Sequence, residues 1–284
     1  MSAPLYGAVE AGGTKFVLAV GAAPDQLEDI RRVSTSHNPL QTVAEVVAYF
    51  ERHPSIAALG IASFGPVDHR TGCITNTPKA GWKDFPLRDA LRRALRVPIG
   101  FETDVAAAAL AESRLGAAKG LANSVYMTVG TGIGGGAIVN HAPVQGLIHP
   151  EMGHLMVRRA PEELPGFMGV CPYHGGCLEG MANGPAIEAR WGRPANQLPE
   201  QHTAWRVEAD YLAQLCVNLT CVLSPEMIVL GGGVMGQAQL FPLIGARAAE
   251  MMNGYIALPP IEAPALEYPG LAGALMLARE AAER

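Results

Sequence analysis

The chain has 284 residues, 49% of them hydrophobic and 17% charged, which is enough to bury a substantial core and makes two domains the natural expectation. A net charge of −5 argues against a nucleic-acid surface, and no apolar run reaches the roughly 18 residues that span a bilayer. Five cysteines, with Cys216 and Cys221 in an apolar helical pattern, point to a reducing cytoplasm rather than a disulfide framework, and Met1–Leu5 shows no basic region leading into an apolar segment, so no signal peptide is expected.

From Leu5 to Val20 the pattern is strand, Gly-Gly-Thr turn, strand. Glu10 closes the first strand, where a carboxylate can hold Mg²⁺ through water or stand as a solvated charge. Thr42–Arg52 carries Val43, Val46, Val47 and Phe50 at helical spacing. Ile56–Ala62 is a compact apolar strand running into a turn cluster, Ser63–Asp68, and such a strand end is where open α/β sheets place ligands. In the irregular loop that follows, Trp82 can pack a sugar face or anchor the core. Leu87, Ala90, Leu91, Ala94 and Leu95 form a further helix face, and Val97–Phe101 a further strand. That strand ends in Glu102-Thr103-Asp104, and an Ala-rich helix starts at once. Asp104 suits an N-cap; it also suits a proton acceptor at a strand end.

Tyr126–Val139 repeats the first device: Tyr6 aligns with Tyr126, Val9 with Val129 and Gly12 with Gly132. Glycine permits φ > 0 and close backbone approach, and a turn rich in bare N–H groups cradles anions. Two such turns, one per half, suggest a cleft that holds a nucleoside triphosphate. Further on, Cys171-Pro-Tyr-His174-Gly-Gly-Cys177 supplies three metal ligands in one loop, and His154 is the nearest upstream candidate for a fourth. A closed Cys₂His₂ set fits structural Zn²⁺. Glu151 and Glu179 flank these ligands and suit the hydroxyls of a polyol, or are simply solvent-facing charges. Trp205–Leu223 reads as a long buried helix, and Met227–Leu230 as a strand feeding Gly231-Gly232-Gly233, where a base or ribose can lie against backbone. The small-residue helix Gly270–Ala278 is expected to pack back onto the first half.

Taken together, Glu10-Ala-Gly-Gly-Thr-Lys15, Thr103-Asp104, Gly130-Thr-Gly-Ile-Gly-Gly-Gly136, Glu151-Met-Gly-His154, the Cys171–Glu179 loop and Leu230-Gly-Gly-Gly-Val234 resemble the ROK sugar kinases and repressors. The resemblance spans nearly the whole chain. Glu10 in place of the more usual Asp, Ser63-Phe-Gly-Pro66 and Thr77-Pro-Lys-Ala-Gly-Trp82 resemble the bacterial fructokinase branch, whereas most hexose-specific members carry Asn at the position of Thr103. The resemblance implies an α/β fold of the actin-like ATPase (ribonuclease H-like) type: duplicated domains with an interdomain cleft. The expected domains are residues 1–104 plus 268–284, and residues 105–267 with the second hairpin and the metal loop.

The implied activity is ATP-dependent phosphorylation of a hexose, fructose first, with Asp104 as general base. Glu151, His154, Glu179 and Thr103 are implied at the sugar. Gly12, Gly13, Thr14, Lys15, Thr131, Gly132 and Gly134 are implied at the phosphates and Gly232 near the adenosine. Mg²⁺ is implied through Glu10, and structural Zn²⁺ on His154, Cys171, His174 and Cys177. The family likeness also implies a homodimer, while cysteine usage, charge and hydropathy point to a cytoplasmic protein without nucleic-acid or membrane partners. A kinase for mannose, glucose or an N-acetylated amino sugar is the nearest alternative. A sugar-sensing repressor is disfavoured, because a first strand beginning near Leu5 leaves no room for a helix-turn-helix.

Overall fold

The computed structural model describes residues 3–284; Met1 and Ser2, where the first expected domain begins, lie outside the described residues. In chain order the elements are β1 (Leu5–Ala11), β2 (Lys15–Gly21), β3 (Glu28–Ser34), α1 (Pro39–Phe50), β4 (Ile56–Ser63), β5 (Val67–Asp68), β6 (Cys73–Ile74), α2 (Leu87–Leu95), β7 (Ile99–Thr103) and α3 (Asp104–Arg114). There follow β8 (Ser124–Val129), β9 (Ile133–Val139), β10 (Ala142–Pro143), α4 (Leu178–Ala182), α5 (Gly184–Trp191), α6 (Ala204–Leu223), β11 (Met227–Gly231), α7 (Leu240–Met252), β12 (Ile261–Glu262) and α8 (Pro269–Ala282).

Two compact units result. One holds the chain up to Gly116, with Pro143–His149 and Leu266–Arg284; the other holds Ala117–Ala142 and Pro150–Ala265. The boundary expected after Asp104 therefore lies after Gly116, because α3 packs on α8 inside the first unit. The segment Pro143–His149 likewise groups with the first unit, although it was expected in the second domain.

In the first unit the sheet order is β3-β2-β1-β4-β7, with β1, β2 and β3 antiparallel and β1, β4 and β7 parallel. Both faces of this sheet are covered at its centre, so β1, β2 and β4 are buried on both sides, while the edge strand β3 is polar and mostly exposed. Val9, Ala11, Phe16 and Leu18 face a core that includes Val46, Tyr49 and Phe50 of α1, Leu87 and Leu91 of α2, and Trp82. Trp82 is fully buried, its ring 5.3 to 5.6 Å from those of Phe16, Phe64 and Phe85, and its indole N–H donates to Ser36 O at 2.7 Å. It is a core anchor, and its ring face is closed to a sugar.

On the opposite face Ala8, Val17, Ala19, Ala58 and Ala62 meet α8 and Ala107 of α3. Small residues dominate because backbones come very close. A Cβ on Gly60 would lie 1.7 Å from Ala274 O, and one on Gly273 would lie 2.0 Å from Ala107 O. The Ala-rich α3 is buried from Val105 to Ser113, all round its circumference, as a helix packed on every side must be.

The second unit repeats the plan. Its sheet order is β10-β9-β8-β11-β12, with β8 and β9 antiparallel and β8, β11 and β12 parallel. β8 thus stands for β1, β9 for β2 and β11 for β4. Helix α6 is buried along most of its length. It meets a fully buried ion pair, Arg190 Nε to Glu163 Oε1 at 2.8 Å, with the Tyr211 hydroxyl donating to the other Glu163 oxygen. Glu208, also fully buried and with neither oxygen hydrogen-bonded, has its carboxyl pushed well above the usual range by burial.

Replacing Gly by Ala in a helix interior normally gains about 1 kcal/mol of helix propensity. At Gly273 the added methyl would run into a backbone carbonyl that cannot rotate away. Gly273→Ala is therefore expected to destabilise the protein by about 1–3 kcal/mol, the usual cost of overpacking. The urea midpoint measures it, and an unchanged or higher midpoint would refute the close α3–α8 approach.

Candidate active site

Register fixes what gathers at one end of the first sheet. Ala11 is level with Ser63, and Ser63 with Thr103. The β1–β2 turn, the Ser63–Phe64 loop and the start of α3 therefore share the C-terminal end of the parallel strands, the usual ligand edge of such sheets. Two strand spacings separate the turn from Thr103, roughly 10 Å.

In that turn the Gly12 N–H donates to Lys15 O at 3.0 Å. Thr35, a buried residue just past β3, holds the turn from outside. Its hydroxyl donates to Gly12 O at 2.7 Å and its N–H to Thr14 O at 3.0 Å. Gly13 is half-buried, and Thr14 and Lys15 are exposed. Glu10 is half-buried and packs against Gly270 in the first turn of α8. Burial pushes its carboxyl up, against the pull of Lys15 and Arg32.

The acids ending β7 have different fates. Glu102 is buried: its Oε1 takes the His69 ring Nε2 at 2.6 Å and the Thr103 N–H at 2.7 Å, and its Oε2 takes the Gln145 amide at 2.6 Å. Burial would raise its carboxyl, but the hydrogen bonds from His69 and Thr103, the His69 charge and the Gln145 amide together hold it below the usual range. The same bond to Glu102 raises the His69 imidazole, against its own burial. Asp104 is half-buried at the first position of α3, its Oδ1 accepting from Val105 N–H at 2.9 Å. Of the two readings open for Asp104, the N-cap falls to Thr103 instead, whose hydroxyl oxygen accepts from Ala106 N–H at 3.2 Å. Thr103 is 2% exposed, so the side chain expected at the sugar is committed to the helix.

The second unit brings the four expected metal ligands together. One ligand atom from each of His154, Cys171, His174 and Cys177 lies within 4.8 Å of the others. His154 Nδ1 is 3.4 Å from Cys177 Sγ and 3.7 Å from Cys171 Sγ, and His174 Nδ1 is 3.7 Å from Cys171 Sγ. Tetrahedral zinc with ordinary Zn–S and Zn–N bonds gives N···S edges of about 3.6 Å. The donor set fits. Burial pushes the Cys177 thiol up to about 11, with Cys171 and Glu179 adding to it.

Cys177 leads directly into α4, whose first turn carries Glu179. Glu179 Oε2 accepts from Ile133 N–H at 2.9 Å, and its Oε1 is 4.0 Å from His154 Nε2. One of the two oxygens expected at the sugar is thus engaged with the β8–β9 turn. Glu151 is exposed, its carbonyl accepting from His154 N–H at 3.0 Å.

That turn, Gly130-Thr131-Gly132, closes with Gly130 N–H on Gly132 O at 2.9 Å. It is one residue shorter than its counterpart: Val129 pairs with Ile133 across three residues, whereas Ala11 pairs with Phe16 across four. Gly134 follows in β9, level with Thr128. Gly232 lies beside the turn with φ of 93°, and a Cβ there would sit 2.4 Å from Val129 O, so only glycine fits. Thr35, Asn183, His69 and Gln145 were not anticipated.

The family model described as ROK family matches residues 6–281. The chain is 44% identical to a fructokinase of Pediococcus pentosaceus over 287 residues, covering 98% of each protein. It is 43% identical to a fructokinase of Zymomonas mobilis over 263 residues, 88% of this chain and 87% of that one. Among solved structures, the ROK hexokinase of Thermus thermophilus superposes with a TM-score of 0.80 at 28% identity, covering 97% of this chain and 98% of that one. A match along almost the entire length, on duplicated sheets of this order, establishes that the chain belongs to the ROK family.

Proposed function

We propose that the protein is an ATP-dependent hexose kinase that acts as a fructokinase, converting ATP and D-fructose to ADP and fructose 6-phosphate. The observation that carries this is the register at the first sheet's ligand edge, which sets Asp104 and the Gly12–Lys15 turn at the same strand ends. The fructose preference rests on the likeness to fructokinases over nearly the full chain.

In this reading Asp104 takes the proton of the sugar's primary hydroxyl while that oxygen attacks the γ-phosphorus and the bond to the β-phosphate oxygen breaks. The reaction needs alignment and charge neutralisation more than covalent help. The turns at Gly12–Lys15 and Thr131–Gly134 grip phosphate oxygens, and Gly232 admits the nucleoside. Glu151, His154 and Glu179 line the sugar side, and Thr103 supports it through the helix cap. Glu10 would hold Mg²⁺, which would supply charge neutralisation when bound. His154, Cys171, His174 and Cys177 would hold Zn²⁺, which would tie the loop to α4. No described helix is long and apolar enough to cross a membrane. A cytoplasmic homodimer is part of the same proposal on family likeness, and the net charge of −5 argues against nucleic-acid binding.

A coupled assay over a panel of hexoses is expected to give fructose the highest kcat/KM; a tenfold preference for another sugar would overturn the fructokinase assignment. Asp104→Asn is expected to lower kcat by about 10²–10⁴, the range for losing a general base, with only modest change in sugar affinity. A near-wild-type kcat would remove Asp104 from the chemistry. Metal analysis of protein purified without added zinc is expected to find about one zinc per chain; none, with the fold intact, would end the metal assignment.

A further inference from the structure

Asn183 is 5% exposed and sits between α4 and α5. Its Oδ1 accepts from Ala186 N–H at 2.8 Å, which makes it the N-cap of α5. Its Nδ2 donates to Thr131 O at 3.0 Å. Both ends of the amide are fixed by unambiguous partners, a backbone N–H and a backbone carbonyl, so the flip is determined. The next residue adds a second bond to the same turn, Gly184 N–H to Gly130 O at 2.7 Å.

These bonds have a consequence for the turn's N–H groups. A trans peptide is planar, with its N–H pointing opposite to its C=O. The Gly130 and Thr131 carbonyls are both drawn toward the start of α5, so the N–H groups of Thr131 and Gly132 are both turned to the opposite side. Two successive N–H groups aimed the same way form an anion-binding nest. From this geometry we infer that Asn183 is a positioning residue for the nucleotide: it never touches the phosphate, but it aims the N–H pair that does. The inference rests on the proposed kinase reading, in which this turn grips ATP.

The test separates the two halves of the amide. In Asn183→Asp a carboxylate still caps α5, but the donor to Thr131 is lost and a negative charge stands behind the nest. In Asn183→Ser the cap is again kept, without charge, and the hydroxyl is too short to replace the amide donor. Steady-state kinetics with ATP and fructose varied in turn, together with thermal melts, are expected to show KM for ATP raised tenfold or more in Asn183→Asp and several-fold in Asn183→Ser. KM for fructose should stay within twofold and Tm within a few degrees of wild type. Asn183→Ser with a wild-type KM for ATP would overturn the inference while leaving the kinase reading intact, as would a parallel rise of both KM values. Wild-type protein with no ATP-dependent turnover of any hexose would overturn both.

Discussion

A peptide group has two ends, and a phosphate can use only one of them. For a short glycine turn to present N–H groups to an anion, its carbonyls must be satisfied somewhere else. Both Gly/Thr turns here meet that condition with groups outside the turn. Thr35 takes the carbonyls of Gly12 and Thr14 in the first unit, and Asn183 and Gly184 take those of Thr131 and Gly130 in the second. Glycine gives the turns conformational freedom, but that freedom by itself costs entropy and specifies nothing. The outside partners convert a floppy turn into one whose N–H groups have a defined side.

The same requirement explains why the two units, built on one sheet plan, differ in their surroundings. In the first, the partner comes from the end of the neighbouring antiparallel strand, close in space because β3 pairs with β2. In the second, β10 is only two residues long and offers no equivalent. The support comes instead from the Cys/His loop and the two short helices that follow it. Glu179, Asn183 and Gly184 all bond to residues 130–133. A helix of five residues such as α4 has little stability of its own, since helix nucleation is unfavourable and short helices lean on tertiary contacts. A metal on Cys177, the residue that precedes α4, would supply the anchor that the chain's own propensity does not.

Much of this was legible in the sequence, for identifiable reasons. The two hairpins were readable because the Tyr6–Val20 and Tyr126–Val139 stretches combine short apolar runs with turn glycines, a local pattern. The Cys171–Cys177 loop was readable because its ligand spacing is also local. What escaped was non-local or depended on degree of burial. Thr103 and Asp104 both suit a helix start, and only the observed backbone assigns the cap to Thr103. Glu102 and Asp104 looked alike as strand-end acids; His69 and Gln145, 33 and 43 residues away from Glu102, separate them. Thr35 and Asn183 carry ordinary polar side chains whose partners lie 23 and 52 residues away, beyond any periodicity.

The separation of Glu102 from Asp104 bears on chemistry. A base that must accept a proton should not already be saturated by strong donors. Glu102 is held ionised by His69, Thr103 N–H and Gln145, and its burial leaves it closed to solvent, so it is spent on structure. What it does is fix β7's last residue: the Glu102 carboxylate grips the Thr103 N–H, and the Thr103 hydroxyl caps α3. Asp104 follows on a backbone pinned from both directions, one residue after the strand and at the first position of the helix. Its carboxylate therefore owes its placement to two neighbours that never need meet the sugar. A kinase that depends on alignment more than on reactivity is served by that division of labour, with one acid buried to set the backbone and the next, the proposed base, left half-exposed.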